Sequence, residues 1–374
     1  MTINKAVQPE SNGGVLGWFA VGLGRILVSL FVPVVTFIVL WQGFLFLRDS
    51  HAPQLVLVLV AIIWGVGGVA LLYLVSNWVV EQIPGGWTQR LQPFVFVGPA
   101  LAILAWFLAI PTVRTLYLSL MDANSFHFVG LINYVYAFTN AIMLEAFRNN
   151  LLWMIFGTSL SVGFGLLIAV LADRSRFESV YKAIIFMPMA ISFVGAGVIW
   201  KFIYSFKGTG SGIQEIGLLN AIVLAFGGTA QPWLQIAPWN NFFLIIIMVW
   251  LQTGYAMVIL SSAIKGVPAE LLEAARIDGA SEIQAFFRII IPYIQGTLIT
   301  VSTTILIFSL KLFDIVRVMT GGNNGTNVIA NEFYLERFTF GEAGRASAIA
   351  MILLIAVIPV MIYNLRQFRE SKAF

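Results

Sequence analysis

Glu273-Ala274-Ala275-Arg276-Ile277-Asp278-Gly279-Ala280 opens a stretch that continues to Ile289 and stops at Pro292. It is short, polar and rich in small residues, and it stands between two long apolar segments. A segment so placed is a loop facing water on one side of a membrane. Two carboxylates beside a run of Ala and Gly suit a helix that presses closely on a partner. The local signals are specific. Pro268 opens a helix at no cost in hydrogen bonding. Glu270 and Glu273 follow in the first turns, where negative charge suits the helix dipole. Gly279 ends the helix. Ser281 with Gln284 forms a capping-box pattern that starts a second helix. The spacing predicts a helix, a turn and a second helix between residues 265 and 292, with Pro292 leading into the next membrane segment.

Composition agrees with a membrane setting. The chain has 374 residues, 59% of them hydrophobic and 10% charged, where a soluble domain carries about 25% charged residues. The net charge of +4 belongs to membrane-flanking loops and gives no reason to expect nucleic acid. There are no cysteines, which excludes disulfides, thiolate metal sites and Cys nucleophiles. His51 and His127 are the two imidazoles, too few for a zinc site, and no metal is expected.

Crossing the hydrocarbon takes roughly 20 apolar residues as a helix. Eight segments qualify: Ile26–Leu47, Leu55–Val80, Val95–Leu116, Asn149–Leu171, Ala183–Tyr204, Asn241–Ile264, Ile294–Leu312 and Ala346–Tyr363. All eight are expected to be helices, because a lone strand leaves backbone polar groups bare in lipid. The first is too long for a removable signal and reads as a signal-anchor helix. Alternating the helices gathers Arg174, Arg176 and Lys182, then Lys265, Arg276 and Arg288, then Arg366, Arg369 and Lys372 on one side, with Lys5 and Arg25. That excess of basic residues marks the cytoplasmic side, so both termini are expected in the cytoplasm. Three outer connections are long: Met121–Arg148, Ser205–Asn240 with Gly208, Gly210 and Gly212, and Phe313–Arg345 with Gly321-Gly322-Asn323-Asn324-Gly325. They read as surface covering or as a platform for an external partner.

No G-x-x-x-x-G-K-[ST] loop is present, so the chain does not bind a nucleotide in the P-loop manner. No polar cluster supports enzyme chemistry. The membrane segments hold neutral polar groups instead: Gln252, Thr253 and Tyr255 in one, and Thr297, Thr300, Ser302, Thr303, Thr304 and Ser309 in the next. Such groups hydrogen-bond a polyol, and nearby aromatics stack on sugar faces; they also bond to their own or neighbouring helices. Lys311 and Asp314 stand three apart at a segment end, which on one helix face makes a local ion pair. Charge at mid-membrane is scarce, which argues against a carboxylate relay.

The polar loop resembles the cytoplasmic signature of membrane subunits of binding-protein-dependent ABC importers: Glu-Ala-Ala, three residues, Gly, nine residues, Ile, one residue, Leu, Pro. Glu273-Ala274-Ala275, Gly279, Ile289 and Pro292 match at the right spacing, and Ile291 stands where the family has Leu. The resemblance covers Val95 to the end. The Met187-Pro188, Trp250-Leu251 and Thr320-Gly321-Gly322 segments resemble maltose-type carbohydrate permeases, as do the paired amino-terminal helices. Arg114–Ser119 and Val129–Tyr134 are most similar to α-glucoside permeases. There is no room for the large outer domain that the maltose permease carries after its early helices.

The resemblance implies an all-α membrane protein of about eight transmembrane helices. Residues 1–92 would form a tail and two extra helices, and 93–374 a type I ABC importer permease core. It implies a second permease subunit, as a heterodimer, two ATPase subunits carrying ATP and Mg, a periplasmic or lipid-anchored sugar-binding protein, and surrounding membrane lipid. No cofactor is expected on this chain, which is a transporter subunit and not an enzyme. Its expected place is the bacterial cytoplasmic (inner) membrane. Glu273, Ala274, Ala275, Asp278, Gly279, Ala280 and Pro292 would couple to an ATPase. The maltose permease binds sugar with an Asn-rich helix before its Gly-Gly turn. Here Thr304 keeps a polar group, Lys311 replaces an Asn, and Phe308 is apolar, so the sugar is held differently. Candidates for the sugar path are Gln252, Tyr255, Thr304, Phe308 and Lys311. The cargo expected is a small carbohydrate: an α-glucoside, a disaccharide or a glucosylglycerol-like compatible solute. The rival reading is an ion-coupled secondary transporter acting without ATPase subunits.

Overall fold

The computed structural model describes residues 15–83, 87–208 and 216–370, with side chains for 31–83, 87–208 and 216–366. Lys5, Gly210, Gly212 and Lys372 lie outside the described residues, as do the side chains of Arg25 and Arg369. Six helices are long and apolar enough to cross a membrane, and two bent helix pairs bring the number to as many as eight. The described residues contain no sheet, only an isolated bridge between Met121 and Phe128. We refer to the eight as spans, in chain order.

The chain separates into two compact units, Met1–Thr112 and Val113–Phe374. The first holds the spans Val15–Asp49 and Gln54–Glu81 and most of a third that starts at Trp87. From Phe31 on, their described side chains are mostly exposed, which water would not tolerate and lipid does. Close packing is local. Trp64 Nε1 donates to the Leu40 carbonyl at 3.0 Å, and Tyr73 stacks on Phe96 at 6.0 Å.

The second unit is built around the sixth span, Trp239–Lys265. Some 67% of its most apolar window is buried, against 33% for the fourth span, Ala141–Asp173. Helices in lipid associate by close fit rather than by expulsion of water, so small residues mark their contacts. A Cβ added at Gly165 would lie 2.5 Å from the Ala256 side chain, and one at Gly157 would lie 3.0 Å from Met248 Sδ. These glycines let the fourth span lie directly on the sixth.

The fifth and seventh segments are helical but not straight. The fifth runs Glu178–Ala190, then Phe193–Ile203, with a 103° bend; the seventh runs Glu282–Tyr293, then Gln295–Leu310, with a 72° bend. Pro188 leads the turn before the first break, and Ser192 caps the second half by accepting from Gly195 N at 3.0 Å. Hydropathy registers apolar length and is blind to direction, so the two segments read as single spans.

The connection Phe313–Arg345 is largely buried rather than surface covering. Ile315, Val316, Val328 and Asn331 are fully enclosed. Gly321 and Gly322 adopt φ of +67° and +90°, a conformation that favours glycine. Asparagines of two spans hold the turn that follows: Asn149 donates to the carbonyls of Gly325 and Asn327, and Asn240 to that of Asn324. Lys311 and Asp314 do not form the expected ion pair. The helix ends at Leu310 and the next begins at Asp314, so a three-residue spacing no longer places them on one face. Lys311 Nζ lies over the Phe308 ring instead, 5.6 Å from its centre.

Candidate functional site

Two sites emerge. The first is the polar hairpin. Its first helix, Ala269–Ile277, has Pro268 as its cap residue and ends with Asp278. Gly279 follows at φ +79°. Ala280 N donates to the Ala275 carbonyl at 2.9 Å and Gly279 N to that of Arg276 at 3.1 Å. This pair of bonds is the Schellman arrangement, and it consumes carbonyls that the helix end would leave unpaired. The second helix starts at Glu282 behind a full capping box: Ser281 Oγ accepts from Gln284 N, and Gln284 Oε1 accepts from Ser281 N at 2.8 Å. Pro292 sits in the turn Ile291–Tyr293, just before the 72° bend.

Ala275 and Ala285 are buried where the two short helices meet. A groove of about 550 Å³ opens there, lined by Ala274, Ala275, Asp278, Gly279, Ala280 and Arg288 among others. Five of the seven coupling candidates thus share one groove. Glu273 is exposed on the same helix and Pro292 lies beyond it. Sequence reasoning missed three neighbours: Ile277, Ile283 and Phe287 are 86%, 72% and 64% exposed. The spacing of Ile283 and Phe287 by four on a helix could have flagged a shared apolar face. Apolar side chains so exposed on a polar hairpin mark a surface that something else covers.

The second site is a pocket of about 220 Å³ between the sixth span, the break in the fifth and the end of the seventh. Gln252, Tyr255 and Phe308 line it, together with Phe193, Met189 and Ile191. The Phe193 and Phe308 rings stand 6.4 Å apart. Neither the Gln252 amide nor the Tyr255 hydroxyl hydrogen-bonds to another described residue, although Gln252 is only 7% exposed. The Gln252 amide is not among the enclosed polar groups left without a partner and opens instead into the pocket, where a ligand or water can supply one.

Thr304 and Lys311 fall outside the pocket lining. Thr304 Oγ1 donates to the Thr300 carbonyl at 2.8 Å, Thr300 to Gly296, and Thr303 to Ile299 and Asn364. The hydroxyls of the seventh span are thus largely spent on their own helix, whereas the amide and phenol of the sixth are free for a guest.

Comparison with known proteins bears on both sites. Residues 161–370 match the family described as binding-protein-dependent transport system inner membrane component. The osmoprotective compounds uptake permease protein GgtC of Synechocystis sp. is 56% identical over 278 residues, 74% of this chain and 99% of that protein. The alpha-glucoside transport system permease protein AglF of Rhizobium meliloti is 48% identical over 76% of this chain and 84% of its own length. Among solved structures, a chain of a bacterial ABC transporter involved in the import of the acidic polysaccharide alginate superposes with a TM-score of 0.62. It covers 75% of this chain and 98% of that one at 19% identity, which speaks to the fold.

Proposed function

We propose a function from this premise: the chain belongs to the family of binding-protein-dependent transport system inner membrane components. It is a permease subunit of an ABC importer, a transporter component and not an enzyme. An independent ion-coupled transporter finds no support in that membership. The cargo we assign is a small neutral carbohydrate: an α-glucoside, a disaccharide or a glucosylglycerol-like osmoprotectant. The names of the relatives from Synechocystis and Rhizobium support this class. So does a pocket with two aromatic walls and two unpartnered polar groups.

Residues 93–374 form the six-helix core in this reading, and the two preceding spans are an addition to it. The match to the 56% identical relative leaves about a quarter of the chain outside it. Both termini and the hairpin face the cytoplasm, where two ATPase subunits bind ATP and Mg. A second permease completes the pathway as a heterodimer, and a sugar-binding protein delivers cargo from the opposite side. Gln252, Tyr255 and Phe308 contact the sugar, with Thr304 and Lys311 flanking them along the path. Transport proceeds by alternating access: ATPase closure moves the hairpin, and the hairpin moves the spans.

The observation that carries this reading is the hairpin itself. Two short capped helices hold an alanine-lined groove beside three exposed apolar side chains. A surface of that kind is built to be gripped. Glu273→Ala with Gly279→Pro tests it, because proline cannot adopt the positive φ at 279. Reconstituted with its partners, the variant should lose ATP-driven uptake and release the ATPase subunits. Normal uptake would overturn the docking assignment. The chain has no cysteines, so a single Ile277→Cys should label with an impermeant maleimide from the cytoplasmic side only.

A further inference from the structure

The chain itself joins the hairpin to the sixth and seventh spans alone. Lys265 ends the sixth span just before Gly266, and the bend at Ile294 leads into the upper part of the seventh. The end of the fourth span reaches the hairpin without a covalent link, and their polar link is ionic; the fifth span joins through the fourth and sixth. Glu282, the first residue of the second short helix, accepts from Arg174 at 3.0 Å and meets Arg276 at 3.1 Å. Arg174 lies one residue past the fourth span, and Arg276 lies on the first short helix. One carboxylate thus ties three segments.

The link continues inward. Asp173, the neighbour of Arg174, accepts from Lys182 at 2.5 Å and from Ser261 Oγ at 2.7 Å. Lys182 also reaches Glu178 at 2.6 Å and bonds Ser261, while Lys265 reaches Glu178 at 2.5 Å. The fourth, fifth and sixth spans therefore meet in one group of two acids, two lysines and a serine. The charges of Asp173, Glu178, Lys182 and Lys265 cancel, and all three donors of the Lys182 ammonium have acceptors. The side chains of Asp173 and Lys182 are 12% and 19% exposed.

Stability does not account for the outer part of this chain of contacts. An exposed ion pair contributes little to stability, and Arg174 and Glu282 are both more than half exposed. Their placement is the informative feature. Leu272, Ile290 and Ile291 seat the hairpin on the main core by apolar packing, which is non-directional; the ionic contact adds a directed tie between the start of the second short helix and the end of the fourth span. With it, the hairpin and the ends of the fourth, fifth and sixth spans move together.

We propose that Glu282, Arg174 and Asp173 are positioning residues of transport, fastening the hairpin to the fourth and fifth spans so that motor movement reaches them as one body. The proposal rests on the reading that the hairpin docks an ATPase. The test uses the full transporter with all its subunits in proteoliposomes, and the readout is ATP hydrolysed per sugar moved. Arg174→Met and Asp173→Asn should keep the ATPase subunits bound and hydrolysis within about twofold, while the ratio rises at least fivefold. Arg174→Lys, which restores the cation, should return the ratio to within about twofold of the unaltered complex. An unchanged ratio in both variants would overturn the proposal. So would loss of the ATPase subunits in step with loss of uptake, since the residues would then serve assembly and not transmission. If the unaltered complex takes up sugar without ATP, the docking reading fails first and takes the proposal with it.

Discussion

Gly254 lies directly against the backbone of Ile185: a Cβ at position 254 would sit 2.5 Å from the Ile185 carbonyl oxygen. This approach seats the sixth span in the fifth, immediately beside the pocket that Gln252 and Tyr255 line. Backbone cannot yield as a flexible side chain does. Gly254→Ala should therefore lower the melting temperature of the detergent-solubilised protein, at a cost of about 1–3 kcal/mol typical of overpacking. Gly163→Ala is the control, because a Cβ there meets nothing within 4 Å. Equal melting temperatures for the two variants would show that the contact is not tight.

Gln252→Leu and Tyr255→Phe remove the two unpartnered polar groups of the pocket while keeping its shape. Each should weaken sugar-dependent uptake by about twofold to tenfold, the value of a single net hydrogen bond. The effect should fall on KM with the complex intact. Thr304→Val should change KM less than Gln252→Leu, because its hydroxyl is already bonded to the Thr300 carbonyl. Uptake kinetics over a panel of glycosides decides the order.

Asn149 is fully buried and donates to the carbonyls of Gly325 and Asn327 at 2.9 and 2.8 Å. Asn149→Leu leaves the Asn327 carbonyl without that donor, while the Gly325 carbonyl keeps Asn241 Nδ2 at 3.0 Å; an unsatisfied buried group costs about 1–3 kcal/mol. The expected result is a clear fall in thermal stability together with faster proteolysis between residues 320 and 328. Wild-type cleavage rates would remove the asparagine from the account of how the turn is held.

Burial raises the pKa of Glu332 above its ordinary value of 4.5, against the opposing hydrogen bond from Asn327, and the nearby Glu336 and Glu145 add to the rise. Glu332 lies in the helix Ile329–Tyr334, outside the spans. A raised acid favours the protonated fold. Its stabilising contribution is full below the unfolded value and is lost as pH rises through the folded value. Glu332→Gln keeps an acceptor for Asn327 and removes the titration. The variant should melt higher than the parent above that window, with the gap closing as pH falls below 4.5. A gap independent of pH would mean that Glu332 titrates normally.

Much of the hairpin was legible in the chain because capping is local. Pro268, Gly279 and the Ser281–Gln284 pair each act within four residues, and each takes the role that its chemistry dictates. The eight apolar segments were legible for the same reason, since lipid demands length and apolarity from each helix on its own. The bends of the fifth and seventh segments were not, although Pro188 and Ser192 carried part of the signal.

Sequence alone determined the class of molecule, the number of segments and the hairpin, because hydropathy and end-capping are properties of neighbouring residues. Only the tertiary structure decided which polar groups are free. Thr304 spends its hydroxyl on its own helix, Gln252 and Tyr255 keep theirs for the pocket, and Glu282 reaches Arg174 from 108 residues away. Partners so distant in the chain leave no periodic trace, since what joins them is the close fit of helices that glycine permits.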